Sequence, residues 1–379
     1  MEHLEGLALD ILEQMVASII KPSNAPYNTN ARGLSPFNYA RYGRLEVTIS
    51  DRSKEGLNES RRVLRYPVGG NRASSKHIAQ LLRIMSYAHR ALEQGVPLTK
   101  RDIYYRDVIL FRSQKIVDRF IDDLAATLQR DRTDLNIRAT SKGLICGSCL
   151  VIHLLEGGER SRLNDHEGTL IPAEDVGQFE VENRVAWVLV VEKEAIFQTL
   201  CRLNFTKHPA LPGPGLIVTG KGYPDVATRR LVKMLSDKLP KCIPIVALVD
   251  ADPYGLDILS VYKYGSHSLR HENENLAAHR VEWLGIRTSE LSEFKIDPNM
   301  LIPITRHDER KARKMLCRPP ENMPVEWRHA LMHILKIRRK AELEIFSNAR
   351  TTSTITEHHP PSLVNYLCKK ISRFISGMS

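Results

Sequence analysis

Fifty-five Lys and Arg against 44 Asp and Glu in 379 residues give a formal charge of +11 and a pI near 9.3. That balance favours a polyanionic partner, nucleic acid ahead of a membrane surface, and no apolar run approaches the length of a membrane span. The length allows two or three domains with their own cores. The six cysteines are scattered; Cys146 and Cys149 form a lone Cys-x-x-Cys without a second pair or a His pair at zinc spacing, so they read as reduced thiols in an intracellular protein.

Glu2, Glu5, Asp10 and Glu13 are unlike the basic start of a secretory signal. His3 to Ile20 reads as an amphipathic helix that docks on the body or on a partner. Lys21 to Pro36, rich in Pro, Asn and Ser, reads as a loop or linker, and Leu45 to Ile49 alternates like a strand. Arg61, Arg62 and Arg65 form a small basic cluster, most simply a solvated face. From Ser74 apolar residues recur at helical spacing until Gly95.

Thr99 followed by Asp102 is a helix-capping pattern, which sets Tyr104 and Tyr105 in the first two turns of a cationic helix. Arg101, three and four residues earlier, shares their face, so a phosphate held by its guanidinium would lie near a phenol. Two readings stand: a tyrosine nucleophile, or two packing rings in a DNA-binding helix. Ser113 to Gln129 is a further helix. Leu135 to Ala139, the turn Ser141-Lys142-Gly143 and Leu144-Ile145 read as a hairpin, completing the order of a winged helix with Lys142 on the turn.

Gly157 to Gly177 is polar and is expected to separate domains. Beyond it strand and helix alternate: Val185 to Val191, Leu216 to Thr219 and Ile243 to Val249 are apolar runs of buried parallel strands. Such open α/β sheets carry sites beyond the carboxyl ends of their strands. Glu192, Asp250 and Asp252 lie there, and three oxygen ligands without His or Cys suit Mg²⁺, with Mn²⁺ the alternative. Glu194 rivals Glu192 on spacing. Gly220-Lys221-Gly222 lacks the frame of a phosphate loop, so no nucleotide hydrolysis is expected. His329 and His333 share a helix face without the Glu of a zinc protease, and His358-His359 falls in a loop.

Thr99 to Tyr105, Val191 to Phe197, Val218 to Asp225 and Asp250 to Gly255 occur in an order and spacing that resembles the eukaryotic meiotic double-strand-break protein, the homologue of the A subunit of type IIB topoisomerase VI. The resemblance covers Ser74 to Arg313. It implies a multi-domain α/β chain: an extension over 1–66, a winged-helix DNA-binding domain over 67–155, a toprim metal domain with a mostly parallel sheet over 178–350, and a tail over 351–379.

By matching positions, Tyr105 is the implied nucleophile, Arg101 stands beside the scissile phosphate, and Glu192, Asp250 and Asp252 are the implied metal ligands. Lys142 matches a basic residue of the wing; Lys100 and Arg106 join it as candidate DNA contacts. The implied reaction is transesterification that leaves the protein on a 5′ end, in a homodimer whose active sites join the tyrosine of one protomer to the acids of the other. Further implied partners are double-stranded DNA, a topoisomerase VI B-like subunit, meiotic accessory proteins, and a WD-repeat protein meeting the segment Glu342 to Phe346; the implied location is chromosomes in the nucleus. A hydrolytic toprim nuclease and an inactive DNA binder are the competing readings. Trp327 to Ile345 reads as one basic amphipathic helix, and Leu363 to Ile375 as a final helix.

Overall fold

The computed structural model describes residues 1–20, 45–50, 61–66, 72–130, 132–138, 140–154, 160–172, 176–181, 184–266, 269, 273–287, 290, 298–346 and 363–378. The linker expected over 21–36 and the His358-His359 loop lie outside them. The chain divides into two compact units, Met1–Thr140 and Ser141–Ser379.

In the first unit the helices Arg72–Gln94, Lys100–Arg106, Val108–Phe111 and Gln114–Thr127 follow one another. Their apolar stripes (Leu81, Ile84, Ile103, Phe111, Phe120, Ile121 and Leu124) meet in one core. Leu45–Ser50 pairs antiparallel with Arg61–Tyr66. Its alternation is what a half-buried strand requires, since Leu45, Val47 and Ile49 are buried and Glu46 and Thr48 exposed. Arg62 is not merely a solvated charge: it reaches Asp123 at 2.8 Å, a carboxylate only 1% exposed. The first helix, Glu2–Ile20, docks on this body through Leu4 and Ile11.

The hairpin expected across Ser141-Lys142-Gly143 does not form. Ile137–Arg138 pairs in parallel with Leu98–Thr99, whereas Leu144–Cys146 joins the sheet of the second unit, antiparallel to Gly215–Thr219. Leu144, Ile145 and Cys146 are all buried, so both faces of this strand need cover, which an exposed wing cannot give.

The second unit is built on a six-stranded sheet in the spatial order Val281–Gly285, Ile245–Leu248, Trp187–Val191, Gly215–Thr219, Leu144–Cys146, Thr169–Leu170. The first four strands are mutually parallel; the last two form an antiparallel edge. Every residue of Trp187–Val191 is buried because the two faces are covered by different layers. Val188 and Val190 meet Leu231, Leu235 and Leu259, while Trp187, Leu189 and Val191 meet Phe197, Leu200 and Tyr366. Tyr366 belongs to the helix Leu363–Met378, so the end of the chain is part of this core. The described parts of Gly157–Gly177 also lie within the second unit, including the strand Thr169–Leu170, so the boundary falls after Thr140 instead.

Gly215 is required by packing: a Cβ there would run into the indole of Trp187. Gly215→Ala should therefore lower unfolding free energy by roughly 1–3 kcal/mol, the usual cost of overpacking a core, read as a lower urea midpoint at unchanged slope.

Candidate active site

After Trp187–Val191 the chain turns to Gly215–Thr219 on one side, and the following strand, Ile245–Leu248, lies on the other. A reversal of this kind opens a crevice at the carboxyl ends of the strands. Glu192 and Asp250 leave the two strands that flank it, and Asp252 follows two residues on. Asp250 and Asp252 are almost wholly buried and Glu192 is half-buried.

The three carboxylates share one pattern. Each has one oxygen bonded to main-chain N–H: Glu192 Oε2 accepts from Asp250 N (2.9 Å) and Asp250 Oδ1 from Leu343 N (2.8 Å). Asp252 Oδ1 accepts from Tyr254 N (2.9 Å) and Gly255 N (2.7 Å), capping the helix Pro253–Tyr264. The second oxygen of each aspartate meets an ammonium: Asp250 Oδ2 lies 3.0 Å from Lys193 Nζ, and Asp252 Oδ2 lies 3.3 Å from Lys340 Nζ. Burial first, then the neighbouring Asp250 carboxylate, pushes Glu192 up to about 8. Burial also raises Asp250 to about 6, with Lys193 working against it.

Among the described residues no three His, Cys, Asp or Glu side chains already converge as a metal-binding group. By donor type the set still fits a hard divalent cation, since each carboxylate is aimed by a backbone bond through one oxygen and has the other left for a cation.

Sequence reasoning missed the strap that holds these acids. The helix expected to run to Ile345 stops at Ile337, where Arg338 takes a left-handed φ of 55°. Arg339–Lys340 then pairs with Ile302–Pro303, and the chain runs antiparallel to the acid loop, with Ala251 N donating to Ala341 O at 2.9 Å. Lys340 thus reaches Asp252 and, at 3.5 Å, Asp308; Lys193 reaches Glu344 at 2.5 Å and Glu342 at 3.7 Å. The only signal in the sequence was the apolar run Leu343, Ile345, Phe346, which breaks the helical period and is buried. Those side chains are committed to this unit's own core.

In the first unit, Thr99 and Asp102 form the complete capping box: Asp102 N donates to Thr99 Oγ1 (3.1 Å) and Thr99 N to Asp102 Oδ2 (3.0 Å). The helix Lys100–Arg106 buries Ile103, half-buries Tyr104 and leaves Tyr105 70% exposed. The two phenol rings lie 5.3 Å apart, and Arg101, on the same helix face, is exposed. Seven residues make too short a helix to persist without cap and packing. Thr99→Ala should cost about 1 kcal/mol, measurable by urea unfolding, and should slow any chemistry at Tyr105 more than this loss alone explains.

The remaining candidates separate. Arg106 is exposed, with its guanidinium 5.7 Å from the Tyr87 ring centre. Lys100 is not a free cation: Asp122 holds its ammonium at 2.8 Å, and burial pulls its pKa below the usual lysine range. Lys142 sits in the second unit, donating through Nζ to the Lys221 carbonyl at 3.1 Å while Asp225 accepts from its N–H at 2.8 Å. Glu194, the rival to Glu192, is exposed and pairs with Lys221 at 2.8 Å.

Two family descriptions match this chain: the toprim domain shared by Spo11 and the A subunit of topoisomerase 6, over 187–363, and the type IIB DNA topoisomerase domain, over 76–137. The mouse meiotic recombination protein SPO11 is 38% identical over 272 residues, which span 72% of this chain and 67% of the mouse protein. SPO11-1 of Arabidopsis thaliana is 34% identical over 292 residues, 76% of this chain and 77% of its own. This chain belongs to the family of Spo11 and the topoisomerase 6 A subunits. The topoisomerase 6 A subunit from Arabidopsis thaliana is 33% identical over 266 residues, 70% of this chain and 61% of that protein. The family's toprim match contains Glu192, Asp250, Asp252 and both lysines, and its type IIB match contains Arg101 and Tyr105; Lys142 falls in neither. Toprim domains generally bind Mg²⁺. Among the described residues no helix is long and apolar enough to cross a membrane.

Proposed function

We propose that this protein is a topoisomerase-like DNA transesterase that makes meiotic double-strand breaks, with Tyr105 as its nucleophile. The observation that carries this is an exposed phenol on a short, fully capped helix, with an exposed arginine one turn earlier. The Tyr105 oxygen attacks a backbone phosphorus, a P–O bond forms to the 5′ side and the P–O3′ bond breaks. The phenol gives up its proton to solvent, and the departing 3′ oxygen takes one up from solvent to leave a 3′ hydroxyl. One phosphodiester replaces another, so the step needs no nucleotide energy.

Arg101 pairs with the phosphate and offsets the charge that develops at phosphorus. Glu192, Asp250 and Asp252 would hold Mg²⁺, which supplies charge stabilisation at the phosphorus and the leaving oxygen. In this reading the helices of the first unit are the DNA-binding half, of winged-helix type in their order. Arg106 and Lys142 contact phosphates and Lys100 buttresses the helix. Tyr105 of one protomer works with the carboxylates of another, on chromosomes in the nucleus, together with a B-type subunit. The +11 charge supports a phosphate-dominated, salt-sensitive association.

The test is recovery of the protein from meiotic cells under denaturing conditions, followed by end-labelling of covalently attached oligonucleotide. Label on the wild type and none on Asp250→Asn, at matched expression, is expected. Breaks that form with no labelled protein would sink the reading in favour of hydrolysis by water.

A further inference from the structure

We propose that Lys193 and Lys340 are resident counter-cations of the acid loop, which compete with the divalent ion for the outward oxygens of Asp250 and Asp252 and so set how tightly it binds. The proposal rests on the reading of these acids as metal ligands and concerns residues to which that reading gives no part.

Three observations carry it. First, the oxygens are already divided: Asp250 Oδ1 and Asp252 Oδ1 accept from backbone N–H, so Asp250 Oδ2 and Asp252 Oδ2 remain for a cation, and these are the atoms that the ammonium groups meet at 3.0 and 3.3 Å. An ion ligated there contends with a lysine at both aspartates. Second, each lysine is delivered by a different element. Lys193 directly follows Glu192, whereas Lys340 comes from the strap and is aimed by its bridge to Ile302–Pro303 and by the Ala251–Ala341 pairing.

Third, each ammonium has other anions within reach. Lys340 lies 3.5 Å from Asp308, whose other oxygen accepts from Thr305 N (2.7 Å) and Thr305 Oγ1 (2.7 Å) in the cap of the helix Arg306–Leu316. Lys193 lies 2.5 Å from Glu344 and 3.7 Å from Glu342. A lysine displaced from its aspartate therefore keeps a partner, and the exchange leaves no buried charge unpaired. Side chains serving only as struts would not need that second anion. Both lysine side chains are also partly exposed, at 24% and 14%, so they can move without unpacking the core.

The consequence is a threshold. With both lysines in place the loop is neutralised enough to fold and to accept polyanionic DNA, and the divalent ion enters only against two like charges.

The experiment is Mn²⁺ binding to the purified full-length chain without DNA, followed by electron paramagnetic resonance of free Mn²⁺ and by calorimetry with Mg²⁺. It compares the wild type with Lys340→Met, Lys340→Arg, Lys193→Met and Asp250→Asn, with folding checked by thermal melting. Each Met variant should bind tighter, by roughly tenfold, the scale of a partly screened unit charge at these separations. Lys340→Arg should stay near the wild type, and Asp250→Asn should bind more weakly. Met variants that fold and bind no tighter than the wild type, while the wild type binds, would overturn the competition and leave the metal reading intact. No binding by any form, with all of them folded, would overturn the metal reading and this inference with it.

Discussion

Tyr105→Phe is expected to abolish covalent attachment to DNA completely while leaving thermal stability within about 0.5 kcal/mol of the wild type, as surface substitutions usually do. The change removes one oxygen, the atom that would be joined to phosphorus. Because Tyr105 is 70% exposed, its hydroxyl is not part of the core. Tyr104→Phe is the matched control: that ring is half-buried against the core and 5.3 Å from Tyr105, so loss of its hydroxyl should leave the labelled adduct in place. Label retained in Tyr105→Phe and lost in Tyr104→Phe would transfer the chemistry to the neighbouring ring, and label in both would exclude either one as sole nucleophile. Melting curves on the same preparations separate lost chemistry from lost fold.

Glu192→Gln should stop cleavage and, in metal-free buffer, make the protein more stable. The carboxyl of Glu192 titrates near 8 in the folded chain against an ordinary 4.5, because burial and the Asp250 carboxylate penalise its charged form. A folded pKa above the unfolded one means that the folded state holds its proton more tightly. The wild type therefore loses stability as pH rises from about 4.5 towards 8, and the penalty is constant above that. Asp250, raised to about 6, adds to the decline in the lower part of the window. A glutamine has no charge to form, and its carbonyl can still accept from Asp250 N. In EDTA at pH 8.5 the variant should melt roughly 3–8 °C higher than the wild type, and at pH 5 the difference should shrink towards zero. Mg²⁺ should raise the wild-type melting temperature more at pH 8 than at pH 6, because ligation needs the deprotonated carboxylates, and should have little effect on the variant. A melting difference that does not change between pH 5 and pH 8.5 would remove the buried charge as its cause.

The strap explains why such a cluster can exist inside a folded chain. Asp250, Ala251 and Asp252 are each gripped by residues about 90 positions later: Leu343 N–H, the Ala341 backbone and the Lys340 ammonium. Main-chain N–H groups thus hold Asp250 Oδ1 and Asp252 Oδ1 in place before any ligand arrives, which is the positioning that catalysis at phosphorus needs.

The capped helix at Thr99, the buried parallel strands and the placing of Glu192, Asp250 and Asp252 at their carboxyl ends were legible in the sequence by itself. Caps and apolar runs are local: Thr99 finds Asp102 three residues away, and Trp187 to Val191 is apolar because both faces of its strand are covered. The resemblance of four short motifs added the family for the same reason, since each motif is contiguous. What only the tertiary structure decided depends on pairing between distant segments. Leu144–Cys146 reads locally as half of a hairpin, yet it pairs with Gly215–Thr219, about 70 residues on, because all three of its side chains need burial on both faces. Lys340 reads locally as a solvated helix residue, yet the left-handed turn at Arg338 carries it to Asp252, and neither the turn nor the partner leaves a periodic trace in the chain. Lys100 likewise reads as a free cation until Asp122, on another helix, takes its charge. Periodicity reports which face of an element is buried; it carries no information about which distant charge will lie opposite.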